Sequence, residues 1–121
     1  MPSSRASEAG GGTKVRVAVR VRPPLAQTGA PECIVCADSR TLQLDFDADG
    51  GQSGWPMRGA PRARSFVFDS VHDRQTSQAE LFDGCGVPAL IDAALDGYTA
   101  TVFAYGQTGS GKTYTVSGAS D

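Results

Sequence analysis

Residues near the end of the 121-residue sequence have the types and spacing of a phosphate-binding loop. The pattern G-x-x-x-x-G-K-[ST] is met by eight consecutive residues: Gly106, Gln107, Thr108, Gly109, Ser110, Gly111, Lys112 and Thr113. Glycines carry no Cβ atom, so the backbone can curl and direct its N–H groups at phosphate oxygens. Lys112 would then reach the β- and γ-phosphates, and the Thr113 hydroxyl would hold Mg²⁺. The pattern therefore predicts a nucleotide phosphate site with a magnesium ion.

The residues around this loop favour the same interpretation. An apolar run over residues 98–105 predicts a buried strand directly before the loop, and a helix is expected to begin at Lys112. The alternative is a Gly/Ser-rich loop that meets the pattern by accident. The sequence has only two lysines, Lys14 and Lys112, and one of them occupies the required position. A phosphate site is therefore the better explanation.

Composition and length limit the other possibilities. Thirteen acidic and eleven basic residues give a net charge of −2, which provides no general attraction to nucleic acid or to anionic membranes. No apolar run approaches the roughly 18 residues of a membrane span, and the first residues lack a signal-peptide core. We expect an intracellular soluble protein, and a sheet fold that is incomplete in so short a chain.

Two further patterns resemble metal sites and are better explained otherwise. Cys33 and Cys36 have C-x-x-C spacing, but in a strand residues three apart point to opposite faces, so we expect these cysteines and Cys85 to be buried and structural. Residues 45–50 open like a calcium loop, yet the twelfth position is Pro56 instead of a glutamate. An acidic turn in solvent is the better interpretation.

The remaining pattern predicts a mixed α/β fold. Residues 1–13 read as a flexible lead and residues 47–64 as a long exposed loop. Strands are predicted over residues 14–21, 32–37, 40–46 and 65–69, the second and third forming a small hairpin-like lobe. A helix is predicted over residues 78–96, begun by a capping box of Ser77 and Glu80 and bent or divided in two near Pro88.

Several segments together resemble the kinesin motor domain. The stretch FAYGQTGSGKT over residues 103–113 is similar to that family's phosphate loop. In the same order, VAVRVRP at residues 17–23, FVFD at 66–69 and TSQAE at 76–80 resemble its first strand, a later strand and its first helix. The resemblance covers residues 14–118. It implies a partial kinesin motor domain over residues 14–121, which is the N-terminal part of a P-loop nucleoside triphosphatase with a mixed central sheet flanked by helices.

The resemblance also implies a ligand and its contacts. ATP with Mg²⁺ would bind, its adenine lying against Arg20, Pro23 and Tyr114, while residues 107–113 would wrap the phosphates. Without the resemblance, Arg20 would be interpreted as a surface strand residue and Tyr114 as an ordinary helix aromatic.

Departures from the family pattern bear on activity. His72 stands where the family commonly has phenylalanine, and residues 47–64 read as an insertion. The two switch segments, N-x-x-S-S-R and D-x-A-G-x-E, follow the phosphate loop in the family and are not in this sequence. We therefore expect no catalytic residue within the chain and no ATPase activity from the chain alone.

Two hypotheses of function follow. In the first, the chain is the ATP-binding part of a cytoplasmic, cytoskeletal motor ATPase that binds microtubules through elements further along the protein. In the second, it is a short non-catalytic nucleotide-binding or regulatory module. A different P-loop enzyme, such as a kinase, is disfavoured by the residues from Phe103 to Thr108. The oligomeric state, subfamily and direction of movement are not indicated by the sequence.

Overall fold

The computed structural model describes residues 15–25, 32–46 and 62–118. The predicted lead over residues 1–13, the calcium-like stretch after Phe46 and most of the predicted loop over residues 47–64 lie outside these ranges. Within them the chain forms five strands and three helices: β1 Ala18–Arg20, β2 Ile34–Cys36, β3 Thr41–Asp45, β4 Ala63–Val67, β5 Ser70–His72, α1 Gln78–Gly84, α2 Val87–Leu95 and α3 Lys112–Ser117. The predicted α/β class is confirmed.

Strands β2, β3 and β4 form an antiparallel sheet with β3 in the middle. Ile34 is opposite Leu44 on one side of β3, and Leu42 is opposite Phe66 on the other. The turn between β2 and β3 is held by Asp38, whose Oδ1 accepts hydrogen bonds from the backbone N–H groups of residues 40 and 41, both at 2.8 Å. The predicted hairpin-like lobe is confirmed, and β4 begins at Ala63, inside the segment predicted as loop.

Strands β1 and β5 form a separate parallel pair in which Arg20 is opposite His72. Asp69, directly before β5, fixes the approach to β1, because its Oδ2 accepts a hydrogen bond of 2.9 Å from the backbone N–H of Val17. Val21 and Val71 of this region are buried, at 8% exposure each. Strand β1 is much shorter than the predicted strand over residues 14–21. It lies directly before Val21 and is paired with the strand that carries Val71, and both valines belong to the buried core.

The helical segment is divided in two, as its proline and glycines predict. Ser77 and Glu80 form the capping box: the Ser77 side chain accepts from the backbone N–H of Glu80, and the Glu80 carboxylate accepts from that of Ser77. Helix α1 ends at Gly84, and α2 begins after Gly86, which has a φ of +77°. Pro88 lies in the first turn of α2, where its missing N–H breaks no helical hydrogen bond.

The predicted strand over residues 98–105 is wrong. A strand requires a hydrogen-bonded neighbour, and none of the described strands pairs with this segment, whose first backbone N–H donates to the carbonyl of Ala93 at 3.0 Å. The apolar side chains that suggested burial lie in solvent instead, with Phe103 78% and Tyr105 97% exposed. The segment still leads into the loop, but as irregular chain.

The cysteines also differ from expectation. Cys33 is exposed, while Cys36 and Cys85 are half-buried, and all three are free thiols. Burial raises the pKa of the Cys36 and Cys85 thiols. Among the described residues no group of three or more His, Cys, Asp or Glu side chains could hold a metal ion. No helix in the described part of the chain is long and apolar enough to cross a membrane.

Candidate functional site

The predicted phosphate loop forms a tight turn ahead of α3. The backbone of Gly109 has a φ of +79° and that of Gly111 a φ of +103°, conformations that are strained for residues with a Cβ atom. The N–H of Ser110 donates to the carbonyl of Gln107 at 3.1 Å, which closes the turn. Helix α3 then begins at Lys112, as predicted.

Gly106 is required by close packing. A Cβ atom at this position would lie 2.6 Å from Ser110 Oγ and 3.3 Å from Ser110 Cβ. A larger residue at this position would therefore require the Ser110 side chain to shift.

The Lys112 side chain folds back along the inside of the loop. Its Nζ donates to the carbonyl of Gly106 at 2.7 Å and to that of Gln107 at 2.8 Å. A lysine ammonium has three N–H donors, so these two contacts leave one for a further acceptor. Lys112 is half-buried, and Thr113 beside it is exposed in the first turn of α3.

Arg20 and Tyr114 come together although β1 and α3 stand at opposite ends of the described chain. The guanidinium carbon of Arg20 lies 5.3 Å from the centroid of the Tyr114 ring, within the range of a cation–π contact. Arg20 Nη1 also donates to Thr115 Oγ1 at 3.2 Å, and Nη2 to the carbonyl of Thr76 at 3.4 Å. Two of the three residues expected around adenine are thus in contact.

Gln78 links the same two residues through its side-chain amide. Its Oε1 accepts a hydrogen bond of 2.5 Å from Arg20 Nη1, and its Nε2 donates to the carbonyl of Tyr114 at 2.7 Å. Gln78 is the first residue of α1, so the amide joins β1, α1 and α3. We call the group of Arg20, Gln78, Tyr114 and Thr115 the platform.

Arg22, which follows β1, connects this strand to the loop. Arg22 Nη1 donates to the carbonyl of Gly109. A cavity of about 400 Å³ lies between the two segments, with Arg20, Arg22 and Pro24 on one side and Gln107, Gly109 and Ser110 on the other. Pro23 is exposed, and it is the neighbouring Pro24 that lines the cavity.

His72 is not one of the platform residues, and its ring contacts Ser70 and Cys85 instead. Its Nε2 lies 3.1 Å from Ser70 Oγ and 3.7 Å from Cys85 Sγ. Burial lowers the pKa of His72, and the guanidinium groups of Arg20 and Arg16 lower it further. The side chain is therefore neutral near neutral pH and acts as a packing residue.

Sequence reasoning missed three side chains that the structure brings to the site. Gln78 and Thr115 hold Arg20, and Arg22 reaches the loop carbonyl at Gly109. Arg22 and Gln78 lie within segments that resemble the family, VAVRVRP and TSQAE. Neither segment indicated the contacts of these side chains, because a single polar residue carries no information about a partner that is distant in sequence.

The comparison with known proteins agrees with the resemblance to the kinesin motor domain. The family model described as the kinesin motor domain matches residues 20–121. The chain is 38% identical over 104 residues to the human kinesin-like protein KIF21A, and 41% identical over 106 residues to the Arabidopsis thaliana kinesin-like protein KIN-14D. Each match covers 86% of this chain, but only 5% of KIF21A and 12% of KIN-14D.

A solved structure shows the same fold. The structure of a fast kinesin, whose description refers to its ATPase mechanism and interactions with microtubules, aligns with a TM-score of 0.63 and 33% identity. The alignment covers 83% of this chain and 25% of that one. Because the family model spans most of the sequence and the fold agrees, the chain belongs to the kinesin motor domain family.

Proposed function

We propose that this chain is the ATP-binding part of a microtubule-based motor ATPase. The observation that carries the proposal is the joint placement of two features that nucleotide binding requires. One is the glycine loop, to whose carbonyls Lys112 Nζ donates, and the other is the contact between Arg20 of β1 and Tyr114 in the first turn of α3. The first suits a triphosphate and the second suits a base.

The loop residues fit a phosphate group. Residues 106–113 hold the phosphates, because their backbone is turned tightly enough to present several N–H groups to one anion. Lys112 already lies against the loop carbonyls and contributes its remaining N–H and its positive charge. Gly106 has no side chain and lies close to Ser110, so a ligand can approach the backbone of the loop directly.

In this assignment Mg²⁺ binds together with the triphosphate. The exposed hydroxyl of Thr113 is the ligand that the chain itself offers, since hard oxygen donors suit Mg²⁺. When bound, the ion neutralises phosphate charge. The role of this chain is to bind and orient the nucleotide.

The adenine is assigned to Arg20, Pro23 and Tyr114. The contact between Arg20 and Tyr114 and the position of Pro23 three residues beyond β1 support this assignment. An aromatic ring and a guanidinium plane both stack favourably on bases. The exposed Pro23 would add an apolar surface beside them.

Hydrolysis and movement are assigned to the longer protein. The chain spans about 5% to 15% of the length of the relatives KIF21A, KIN-14D and mouse KIF12. We assign residues 14–121 to part of a motor domain and residues 1–13 to a lead. The group that positions the attacking water and the surface that binds microtubules would lie further along the protein. Binding to microtubules would place the protein on the cytoplasmic cytoskeleton.

The test compares Lys112→Ala with Lys14→Ala, which removes the only other lysine. Calorimetry with Mg·ATP and with magnesium tripolyphosphate measures binding by each variant, and ATP turnover is measured with and without microtubules in the full protein. We expect Lys112→Ala to lose both ligands and turnover, because phosphate charge is then left uncompensated. Unchanged affinity together with unchanged turnover would remove the phosphate-loop assignment.

A further inference from the structure

We infer that Gln78 is a positioning residue for the nucleoside end of the ligand, holding Arg20 and Tyr114 as one surface. The inference rests on the proposed function, because it deepens the adenine assignment. It adds to the site a residue on α1 that would not touch the phosphates.

The orientation of the Gln78 amide is determined by its partners. The guanidinium of Arg20 offers only donors, and the carbonyl of Tyr114 only accepts. Oxygen must therefore face Arg20 and nitrogen must face Tyr114, as observed at 2.5 Å and 2.7 Å. A flipped amide would place two donors together at one end and two acceptors together at the other.

The Gln78 backbone is as firmly placed as its side chain. Gln78 follows Ser77, whose capping box with Glu80 fixes the first turn of α1. The side chain is half-buried and is hydrogen-bonded at both ends. It therefore links β1 to the first turn of α3.

The other hydrogen bonds of Arg20 and Tyr114 would not replace those made by Gln78. Without Gln78, Arg20 retains longer hydrogen bonds, of 3.2 Å to Thr115 and 3.4 Å to Thr76. The Tyr114 carbonyl still accepts a hydrogen bond of 2.9 Å from the backbone N–H of Gly118, so the C-terminal end of α3 is preserved. Loss of Gln78 should thus loosen the platform without unfolding the loop, and its effect should fall on base binding.

The experiment uses Gln78→Met, which keeps the length of the side chain and removes both hydrogen bonds, in the full protein. Gln75→Met is the matched control, because Gln75 is exposed in the turn before α1. Affinities are measured for Mg·ATP, Mg·ADP and magnesium tripolyphosphate. We expect Gln78→Met to weaken both nucleotides about tenfold, as for loss of a hydrogen bond to a charged group, and to leave tripolyphosphate unchanged.

A second variant separates the two bonds. Gln78→Glu keeps an acceptor for Arg20 but sets a carboxylate against the Tyr114 carbonyl, and it should retain more nucleotide affinity than Gln78→Met if Arg20 is the residue that matters. Equal losses for nucleotides and tripolyphosphate would show a merely structural role and overturn the inference, as would full nucleotide affinity in Gln78→Met. Failure of wild-type protein to bind tripolyphosphate would instead refute the proposed function.

Discussion

The guanidinium of Arg20 lies over the ring of Tyr114, with 5.3 Å between the guanidinium carbon and the ring centroid. The two residues come from β1 and α3, and the contact joins the first described strand to the helix that follows the loop. A charged group that is already held in place loses little conformational freedom when a ligand binds. This relationship places the surface proposed to bind the base next to the loop.

Tyr114→Ala should weaken ATP binding by about 1–3 kcal/mol, the usual contribution of a base stacked on an aromatic side chain. Binding of magnesium tripolyphosphate should be unchanged, because the loop is left intact. Calorimetric titration of both ligands measures the difference. Tyr98→Ala, which removes a 72% exposed tyrosine from the segment before the loop, is the control. Equal losses for ATP and tripolyphosphate would contradict the adenine assignment.

Gly106→Ala should weaken triphosphate binding, by about 1–3 kcal/mol if the strain is typical of overpacking. The added Cβ would lie 2.6 Å from Ser110 Oγ and 3.3 Å from Ser110 Cβ, so the Ser110 side chain must shift within the loop. The double variant Gly106→Ala/Ser110→Gly removes the clashing side chain and should recover part of the affinity. Wild-type affinity in the single variant would show that the loop does not need this close approach.

The sequence predicted those parts of the fold whose cause is local. The capping box of Ser77 and Glu80, the division of the helix near Pro88 and the loop before Lys112 depend on residues a few positions apart. Each of these was confirmed. The hairpin of β2 and β3 was confirmed for the same reason, since its turn is held by neighbouring backbone N–H groups.

The parts that were wrong or missed depend on distant partners. Residues 98–105 have the composition of a buried strand, but composition cannot supply the hydrogen-bonded neighbour that a strand needs. In the same way, no pattern near Gln78 shows that its amide will meet Arg20 and Tyr114. The family resemblance located Arg20 and Tyr114, whereas their link through Gln78 required the three-dimensional structure.

Stability should fall on acidification because of His72, the only histidine in the sequence. Its pKa is lowered from the ordinary 6.5 by burial and by Arg20 and Arg16, so the unfolded chain binds a proton at a higher pH than the native one. Stability is therefore fully present above pH 6.5 and is lost as the pH falls toward the lowered pKa. His72→Gln, which does not titrate, should flatten this part of the profile.

Denaturant unfolding of both proteins between about pH 5 and about pH 8 provides the measurement. Asp73 acts in the opposite direction on the pKa of His72, so Asp73→Asn should steepen the dependence in the wild-type background. A wild-type profile that is flat through this range, or one that His72→Gln leaves unaltered, would contradict the assignment.

Gly84→Ala should destabilise the protein, although alanine is the better helix former. A Cβ at Gly84 would lie 2.5 Å from Cε1 of His72, so the half-buried ring must shift. Overpacking of this kind costs about 1–3 kcal/mol. The double variant Gly84→Ala/His72→Ala removes the clash, and a double-mutant cycle on unfolding free energies should show strong coupling between the two sites. Additive effects would show that the ring has room to move.

The polypeptide of residues 1–121, expressed alone, should self-associate. Phe103 is 78% and Tyr105 97% exposed, and they lie in one segment with Tyr98 and the 59% exposed Val102. Contiguous apolar surface of this kind favours association in water. Replacing Phe103 and Tyr105 together by serine should reduce the mean mass in light scattering, whereas Leu25→Ser, at a 61% exposed position outside the segment, should reduce it less. A monodisperse monomer at high concentration would contradict the prediction, and equal effects of the two replacements would show that association does not depend on this segment.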